Sequence, residues 1–186
     1  GEENFAGRGV SYCAVCDGPL FRDEEIAVIG GGDSAMEEAL FLTQFAKTVH
    51  VIHWRDSLRA SKIMQVRAMK NKKILFHWNS VVKEIRGDKK VTALLLNNNK
   101  TNTERTLKVG GVFIAIGHLP NTSLFQRHID LNEKGYIVLT HHTQTSVKGV
   151  FSAGDVHDHL YRQAVTAAGF GCMAAMDVDA YLNSIK

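Results

Sequence analysis

The chain has 186 residues, of which 45% are hydrophobic and 22% charged, and its formal net charge is +3. This length predicts one large domain or two small ones, and the composition is typical of a soluble globular protein. The mild charge, without a long basic block, argues against a nucleic-acid partner, and no apolar run reaches the roughly 20 residues that span a membrane.

The cysteines and the first residues bear on where the protein works. Cys13 and Cys16 form a close pair and Cys172 stands alone, so they make no disulfide framework and favour a reducing compartment. No signal peptide is visible, and residues 1–4 resemble the middle of a longer protein. We therefore expect a cytoplasmic protein, with an organelle as the alternative.

Strand-like and helix-like segments alternate through the first part of the chain. Apolar runs predict strands at 26–29, 49–53 and 74–78, and periodic spacing predicts helices from Ser34 to about Lys47 and over 57–72. This βαβαβ order predicts an α/β fold, a dinucleotide-binding, Rossmann-like three-layer domain with a parallel sheet.

The next segments predict the end of this domain and the start of another. Residues 91–96 and 106–109 flank a polar stretch and predict a hairpin, and residues 111–117 predict a buried closing strand. After Pro120 we expect short strands at 135–139 and 150–153 and a helix over 162–183, with Cys172 as a buried small hydrophobe. About 65 residues would bury a core poorly, so this second piece resembles half of a domain.

Residues 30–35 (GGGDSA) match G-x-G-x-x-A directly after one strand and before a helix. In this motif the first glycine (Gly30) permits a tight turn and the second (Gly32) lets the backbone approach a pyrophosphate. The small Ala35 allows close packing of helix on strand, and the helix N-terminus attracts phosphates. The motif predicts a dinucleotide site, with a plain glycine turn as the alternative.

The end of the second strand indicates which nucleotide binds. Arg55 and Arg59 follow it where an NAD site tends to carry an acidic residue, and two arginines suit a 2′-phosphate. We therefore expect NADPH rather than NADH, although both arginines could simply solvate the start of a helix. Asp56 is expected to cap that helix rather than to bind ribose.

Cys13 and Cys16 form a C-x-x-C pair that is followed by Asp17. The pair suits a redox disulfide, half of a zinc site, or two unrelated thiols, and zinc is disfavoured because a second ligand pair is missing. Asp17 could move protons while thiols and thiolates interconvert, or serve as a turn residue. Asp155, between a strand and a helix, could bind a polyol or cap the helix.

Together these residues resemble the low-molecular-weight thioredoxin reductases. The resemblance covers nearly the whole chain. The matching segments are residues 11–18 (SYCAVCDG), 30–35 (GGGDSA), 115–118 (AIGH), 143–146 (TQTS), 149–156 (GVFSAGDV) and 161–164 (YRQA). It implies that residues 4–117 are an NADPH-binding domain with the redox pair, and that residues 118–186 are the C-terminal half of an FAD-binding domain.

The resemblance also implies a redox path. Electrons would pass from NADPH through FAD to the Cys13–Cys16 disulfide and on to thioredoxin, with Cys16 facing the flavin, Cys13 attacking thioredoxin and Asp17 as acid and base. The implied NADPH contacts are Gly30, Gly32, Asp33, Ser34, Ala35, His53, Arg55, Arg59, Ile116 and Gly117. The implied FAD contacts are Gly154, Asp155, Arg162, Gln163 and Ala164.

Two departures from the family's pattern qualify this expectation. Trp54 stands where the family usually has the first of two adjacent arginines, and no second G-x-G-x-x-A turn is present to hold FAD. We therefore expect a fragment that binds NADPH but holds FAD poorly, from a homodimeric parent enzyme without metal or membrane contacts. The alternatives are a non-catalytic NADPH-binding fragment and the flavoprotein reductase partner of a peroxiredoxin.

Overall fold

A computed structural model describes residues 1–185, and the chain divides into two compact units between Gly117 and His118. The strands are β1 (Val10–Ser11), β2 (Glu25–Ile29), β3 (Thr48–Ile52), β4 (Ile74–His77), β5 (Ser80–Gly87), β6 (Val91–Asn98), β7 (Thr103–Lys108) and β8 (Gly111–Ile114). The α-helices are α1 (Ala14–Asp17), α2 (Asp33–Leu42), α3 (Lys62–Lys70) and α4 (Ala164–Ser184). Among residues 1–185, none of these helices is long and apolar enough to cross a bilayer.

The first unit is built on a five-stranded parallel sheet in the order β1-β8-β2-β3-β4. Consecutive residues of β2 serve opposite faces: Val28 packs in the cluster that includes α2 and α3, whereas Ala27 packs in the cluster that includes β6. Because both faces are covered, the central strands are apolar throughout, as is usual for parallel sheets. The predicted three-layer α/β fold is therefore confirmed.

The second layer facing that sheet is a three-stranded antiparallel sheet in the order β5-β6-β7. The predicted hairpin is its β6–β7 pair, whereas β5 was not predicted. In β5 only Ser80 and Ile85 are buried, and Lys83, Glu84 and Arg86 interrupt the apolar signal. A register shift between Val82 and Glu84 further breaks its period-two pattern.

Both predicted helices of the first unit are too long. The first ends at Leu42 rather than near Lys47, because the chain turns there to enter β3 and the N–H groups of Phe45 and Ala46 both donate to the Leu42 carbonyl. The second begins at Lys62 rather than at residue 57. Residues 57–61 form a loop whose backbone is tied to the glycine turn by contacts described below.

The second unit contains one long helix and few extended segments. The predicted helix is confirmed as α4, but the predicted strands at 135–139 and 150–153 are wrong. Within residues 118–185 these segments make only single bridges, Leu131 to Ile137 and Gln144 to Phe151, because a longer ladder needs a continuous partner strand. No residue of α4 is buried, so Cys172 is exposed and its predicted burial is also wrong.

Candidate functional site

The glycine turn lies between the end of β2 and the start of α2. Gly30 has φ +151°, and a Cβ there would collide with the Ala115 carbonyl oxygen and approach the Cβ of Ala35 to 2.8 Å. Gly32 is the N-cap of α2, and a Cβ there would meet no atom within 4 Å. The turn therefore packs tightly on one side and leaves its backbone open on the other.

A cavity of about 330 Å³ lies on the open side of this turn. Its lining residues come from the turn, the segment after β3 and the segment after β8. They are Gly30, Gly31, Gly32, Asp33, Ser34, His53, Trp54, Arg59, Ala115, Ile116 and Gly117. Ala35 is fully buried, and Arg55 is not among the lining residues. Sequence reasoning did not assign Trp54 or Ala115 to the site.

The carboxylate of Asp33 connects two parts of this site. Its Oδ1 accepts a hydrogen bond from the Ser61 backbone N–H at 2.8 Å, and this bond lowers the pKa of Asp33. The N–H groups of Arg59 and Ala60 donate to the Gly31 carbonyl at 2.8 and 3.1 Å. Asp33 therefore holds the 57–61 loop against the turn, which is a structural role that its sequence position did not reveal.

His53 is the buried polar residue of the cavity wall. Its ring lies so close to Gly31 that any side chain there would collide with it, and His53 is only 4% exposed. Neither of its ring nitrogens has a hydrogen-bond partner among residues 1–185. Burial lowers the pKa of His53, the Ser57 backbone partly opposes this shift, and the charges of Arg55 and Arg59 lower the pKa further. A neutral imidazole with unused nitrogens fits a polar ligand in this cavity.

The cationic segment after β3 differs from its prediction in one respect. Asp56 is not a helix cap: α3 begins at Lys62 with Ser61 as its N-cap, and the Asp56 carboxylate pairs with Lys100 at 2.7 Å. Arg59 lines the cavity, and Arg55 stacks on the ring of Trp54. Two guanidinium groups next to a glycine turn suit a phosphorylated ligand.

Cys13 and Cys16 are joined by a disulfide at the end of β1. Cys13 is the N-cap of the short helix α1, and its Sγ accepts from the Cys16 N–H at 3.2 Å. The buried Ser11 hydroxyl oxygen accepts from the Cys13 N–H at 3.1 Å. Cys16 is exposed, Cys13 and Asp17 are half-buried, and the pair can accept two electrons at this accessible position.

A chain of hydrogen bonds that the sequence did not predict links the two sheets of the first unit. His50 Nε2 lies 3.2 Å from a Glu25 carboxylate oxygen, and His50 Nδ1 lies 2.9 Å from His77 Nε2. The Arg105 guanidinium on β7 contacts His77 Nδ1. Burial, followed by the charge of Arg105, lowers the pKa of His77 to about 4. One arrangement satisfies every contact: Arg105 donates to a neutral His77, which donates to His50, which donates to Glu25.

The second unit places its predicted residues around the start of α4. Gly154 has φ +77° and begins a short 3-10 turn that contains Asp155. Gln163 is the N-cap of α4, Ala164 is its first residue, and the Arg162 guanidinium lies 2.8 Å from His118 Nδ1. The Arg162 guanidinium has more N–H donors than its contact with His118 uses, so it suits a ligand with several acceptors.

Asp158 organises that segment and was not predicted. Its carboxylate accepts from the backbone N–H groups of Leu160, Tyr161 and Arg162 at 3.0–3.2 Å. Burial alone would raise the pKa of Asp158, but these hydrogen bonds and one from Thr166 together lower it. The loop that leads into α4 therefore depends on one buried carboxylate.

Known proteins resemble this chain over nearly its full length. The family model for pyridine nucleotide-disulphide oxidoreductases matches residues 1–171. A thioredoxin reductase of Streptomyces clavuligerus is 55% identical over 185 residues, covering 99% of this chain and 58% of that protein. These matches confirm the resemblance that the sequence motifs indicated.

Solved structures give the same result. The crystal structure of thioredoxin reductase from Streptococcus pyogenes superposes with a TM-score of 0.90 at 50% identity, covering 95% of this chain and 58% of that one. Thioredoxin reductase from Giardia duodenalis gives a TM-score of 0.88 at 45% identity, covering 98% and 60%. The chain thus spans less than two thirds of the length of the relatives that it matches.

Proposed function

The chain belongs to the pyridine nucleotide-disulphide oxidoreductase family, and from that premise we propose that it carries the NADPH site and the redox disulfide of a thioredoxin reductase. One observation carries the proposal: the Cys13–Cys16 disulfide lies in the same compact unit as an open glycine turn with a cationic rim. We also propose a homodimeric whole protein in a reducing compartment such as the cytoplasm. The exposed free thiol of Cys172 supports that compartment.

Residues of the first unit would hold NADPH. The backbone at Gly32 and the start of α2 would receive the pyrophosphate, since the position next to Gly32 is open and the helix N-terminus favours anions. Arg55 and Arg59 would bind the 2′-phosphate, and the unpaired ring nitrogens of His53 would bind a polar group of the nucleotide. Ser34, Ile116 and Gly117 would contribute further contacts from the cavity wall.

In the second unit, Gly154, Asp155, Arg162, Gln163 and Ala164 would contact FAD. When bound, the nicotinamide supplies a hydride and the flavin passes its two electrons to a disulfide. The residues of this chain would orient both groups and exchange the protons. Asp158 fixes the backbone of Arg162 and the capping box of α4 fixes the backbone of Gln163, so the loop that would present these residues to FAD is ordered, which supports this assignment.

Cys13 and Cys16 would carry the two electrons to thioredoxin. Adding two electrons and two protons converts their disulfide into two thiols, and Asp17, one residue on, would exchange the proton at this pair. The Cys13 thiolate then attacks the thioredoxin disulfide and forms a mixed disulfide. Attack by Cys16 on Cys13 releases thioredoxin as a dithiol and restores the Cys13–Cys16 bond, so that electrons balance.

A trapping experiment tests the exchange step without a flavin. The chain is reduced, and the reductant is removed. It is then mixed with a thioredoxin in which one cysteine is replaced by serine and the other is joined by a disulfide to a chromogenic thiol, which serves as the leaving group. In a Cys172→Ser background, which removes the exposed thiol that would also release chromophore, we expect Cys16→Ser to form a stable mixed disulfide through Cys13 and to release one equivalent of chromophore. The matched variant Cys13→Ser should trap far less. Equal trapping by both variants would contradict the assigned roles.

The nucleotide half of the proposal is tested separately by calorimetric titration with NADPH and NADH. We expect a single site that prefers NADPH, because both Arg55 and Arg59 lie near the end of β3. Failure to bind either nucleotide would overturn the dinucleotide site but not the thiol exchange. Preference for NADH would favour the reductase partner of a peroxiredoxin, one of the two alternatives that the sequence leaves open.

A further inference from the structure

The guanidinium group of Arg55 stacks on the indole ring of Trp54. The Arg55 Cζ atom lies 4.3 Å from the centroid of the Trp54 ring, within the range of a cation–π contact. Trp54 is 52% exposed and lines the cavity beside the glycine turn, whereas Arg55 lies outside the lining. The guanidinium group of Arg55 therefore stacks on a ring that borders the cavity.

The backbone of this pair is held by residues of two neighbouring turns, one between β4 and β5 and one between β6 and β7. Asn99 donates from its Nδ2 to the Trp54 carbonyl at 2.7 Å, and the Asn79 N–H donates to the Arg55 carbonyl at 3.0 Å. The ion pair of Asp56 with Lys100 ties the next residue to the turn between β6 and β7. Because the main chain is held, the stack on Trp54 decides where the guanidinium lies.

The charge of Arg55 is uncommitted in this arrangement. Among residues 1–185, no carboxylate lies within 4.0 Å of its guanidinium. A cation–π contact uses the face of the guanidinium and leaves its N–H edges free to bind oxygen acceptors. Stacking also restricts a side chain that otherwise loses considerable rotamer entropy when it binds a ligand.

We propose that Trp54 is the positioning residue for Arg55 and that, through it, the indole sets the preference for a nucleotide with a 2′-phosphate over one with a 2′-hydroxyl. The inference rests on the proposed dinucleotide site and deepens it. Trp54 acts on selectivity rather than on overall affinity, because the contact that it prepares exists only when the 2′-phosphate is present.

The test measures NADPH and NADH affinities by calorimetry for the wild-type chain, Trp54→Ala and Trp54→Phe. Trp54→Ala should weaken NADPH binding by about twofold to fivefold, the range of an exposed cation–π contact. NADH binding should change by less than that, and Trp54→Phe should recover most of the NADPH affinity because a phenyl ring still stacks a guanidinium. In an Arg55→Ala background, Trp54→Ala should have no further effect on NADPH.

Trp78→Phe is the matched control. Trp78 stacks on Phe76 at 4.9 Å and does not line the cavity, so its replacement should leave the affinity ratio unchanged. Equal loss of NADPH and NADH affinity in Trp54→Ala, or no rescue by Trp54→Phe, would overturn the positioning role while the dinucleotide site stands. Failure of the wild-type chain to bind NADPH would overturn the site and this inference together.

Discussion

Ile26, Ala27 and Val28 of β2 are completely buried, whereas no residue of the largely apolar helix α4 is buried. Among the described residues after Gly117, Tyr136 and Ile137 are the buried hydrophobic side chains, and the other buried groups there are hydroxyls and Asp158. An apolar segment therefore forms a core only where the chain supplies a second layer. The first unit is stabilised by packing between layers, and the second mainly by turns and polar contacts.

The largest expected effect comes from opening the core of the first unit. Phe113 on β8 is fully buried and packs edge to face on Phe21 at 5.3 Å. Phe113→Ala should lower the free energy of unfolding by about 3–5 kcal/mol, through lost burial and the cavity that remains. Urea denaturation followed by tryptophan fluorescence measures this, since Trp54 and Trp78 both lie in the first unit.

Met176→Ala is the control for that measurement. Met176 lies on α4 and is 69% exposed, so its truncation should change the unfolding free energy of the second unit, followed by the circular dichroism of its helix, by less than about 0.5 kcal/mol. A comparable loss in both variants would break the comparison, because it would show that α4 is packed as tightly as β8.

Acid should lower the stability of the first unit through the hydrogen bonds of His50 and His77 that link its two sheets. His77 has a pKa of about 4 in the folded chain, against about 6.5 when unfolded. Below pH 6.5 the unfolded chain takes up a proton that folded His77 refuses, so stability falls progressively as the pH drops from about 6.5 to about 4. The loss is on the order of 1–3 kcal/mol.

Histidine proton NMR and urea titrations at several pH values measure this effect. Because the Arg105 charge helps to lower the pKa of His77, Arg105→Gln should raise that pKa and reduce the acid sensitivity. The other charged and titratable groups in this series of hydrogen bonds are His50, Glu25 and Lys47, which pairs with Glu25 at 3.4 Å. Titration of His77 near its ordinary value would show that the two sheets are not linked in this way.

In the second unit, the substitution expected to lower stability most is that of a polar residue. Asp158→Asn removes the charge that accepts three backbone N–H groups and should destabilise the loop before α4 by about 1–2 kcal/mol. Faster amide hydrogen exchange at Leu160, Tyr161 and Arg162 would report this. Asp179→Asn, on the exposed face of α4, should leave those amides unchanged.

The same contrast explains which sequence predictions held. Strand and helix periods in residues 26–78 reflect burial on both sides of a sheet, so the α/β class and the hairpin followed from the pattern. The sequence does not predict β5 because its charged side chains interrupt the apolar pattern. Residues 57–61 form a loop rather than the predicted helix because their backbone N–H groups bond to Gly31 and Asp33, which are distant in sequence. The prediction of strands at 135–139 and 150–153 is wrong because apolar side chains alone do not supply a partner strand.

For the candidate site, the motifs predicted most of the cavity wall but not its internal contacts. Gly30, Gly32 and Arg59, which the motifs assign to one site, and His53, which the resemblance assigns to it, line one cavity. Asp56 pairs with Lys100, which lies 44 positions away in the sequence. The hydrogen bonds of the Asp158 carboxylate depend on the conformation of its own loop. Such contacts leave no period in a sequence, so the sequence predicts a helix cap at Asp56 where the structure has an ion pair.

The smallest expected effect concerns Cys172, whose exposure marks the difference between the units most simply. Cys172→Ser should change stability by less than about 0.5 kcal/mol, because no packing is lost at an exposed position. Without reductant, a thiol reagent should label one cysteine per chain at a rate near that of a free thiol, and after reduction it should label all three. Slow labelling of Cys172 in the native chain would mean that α4 is covered, and the contrast between a packed first unit and an open second one would fail.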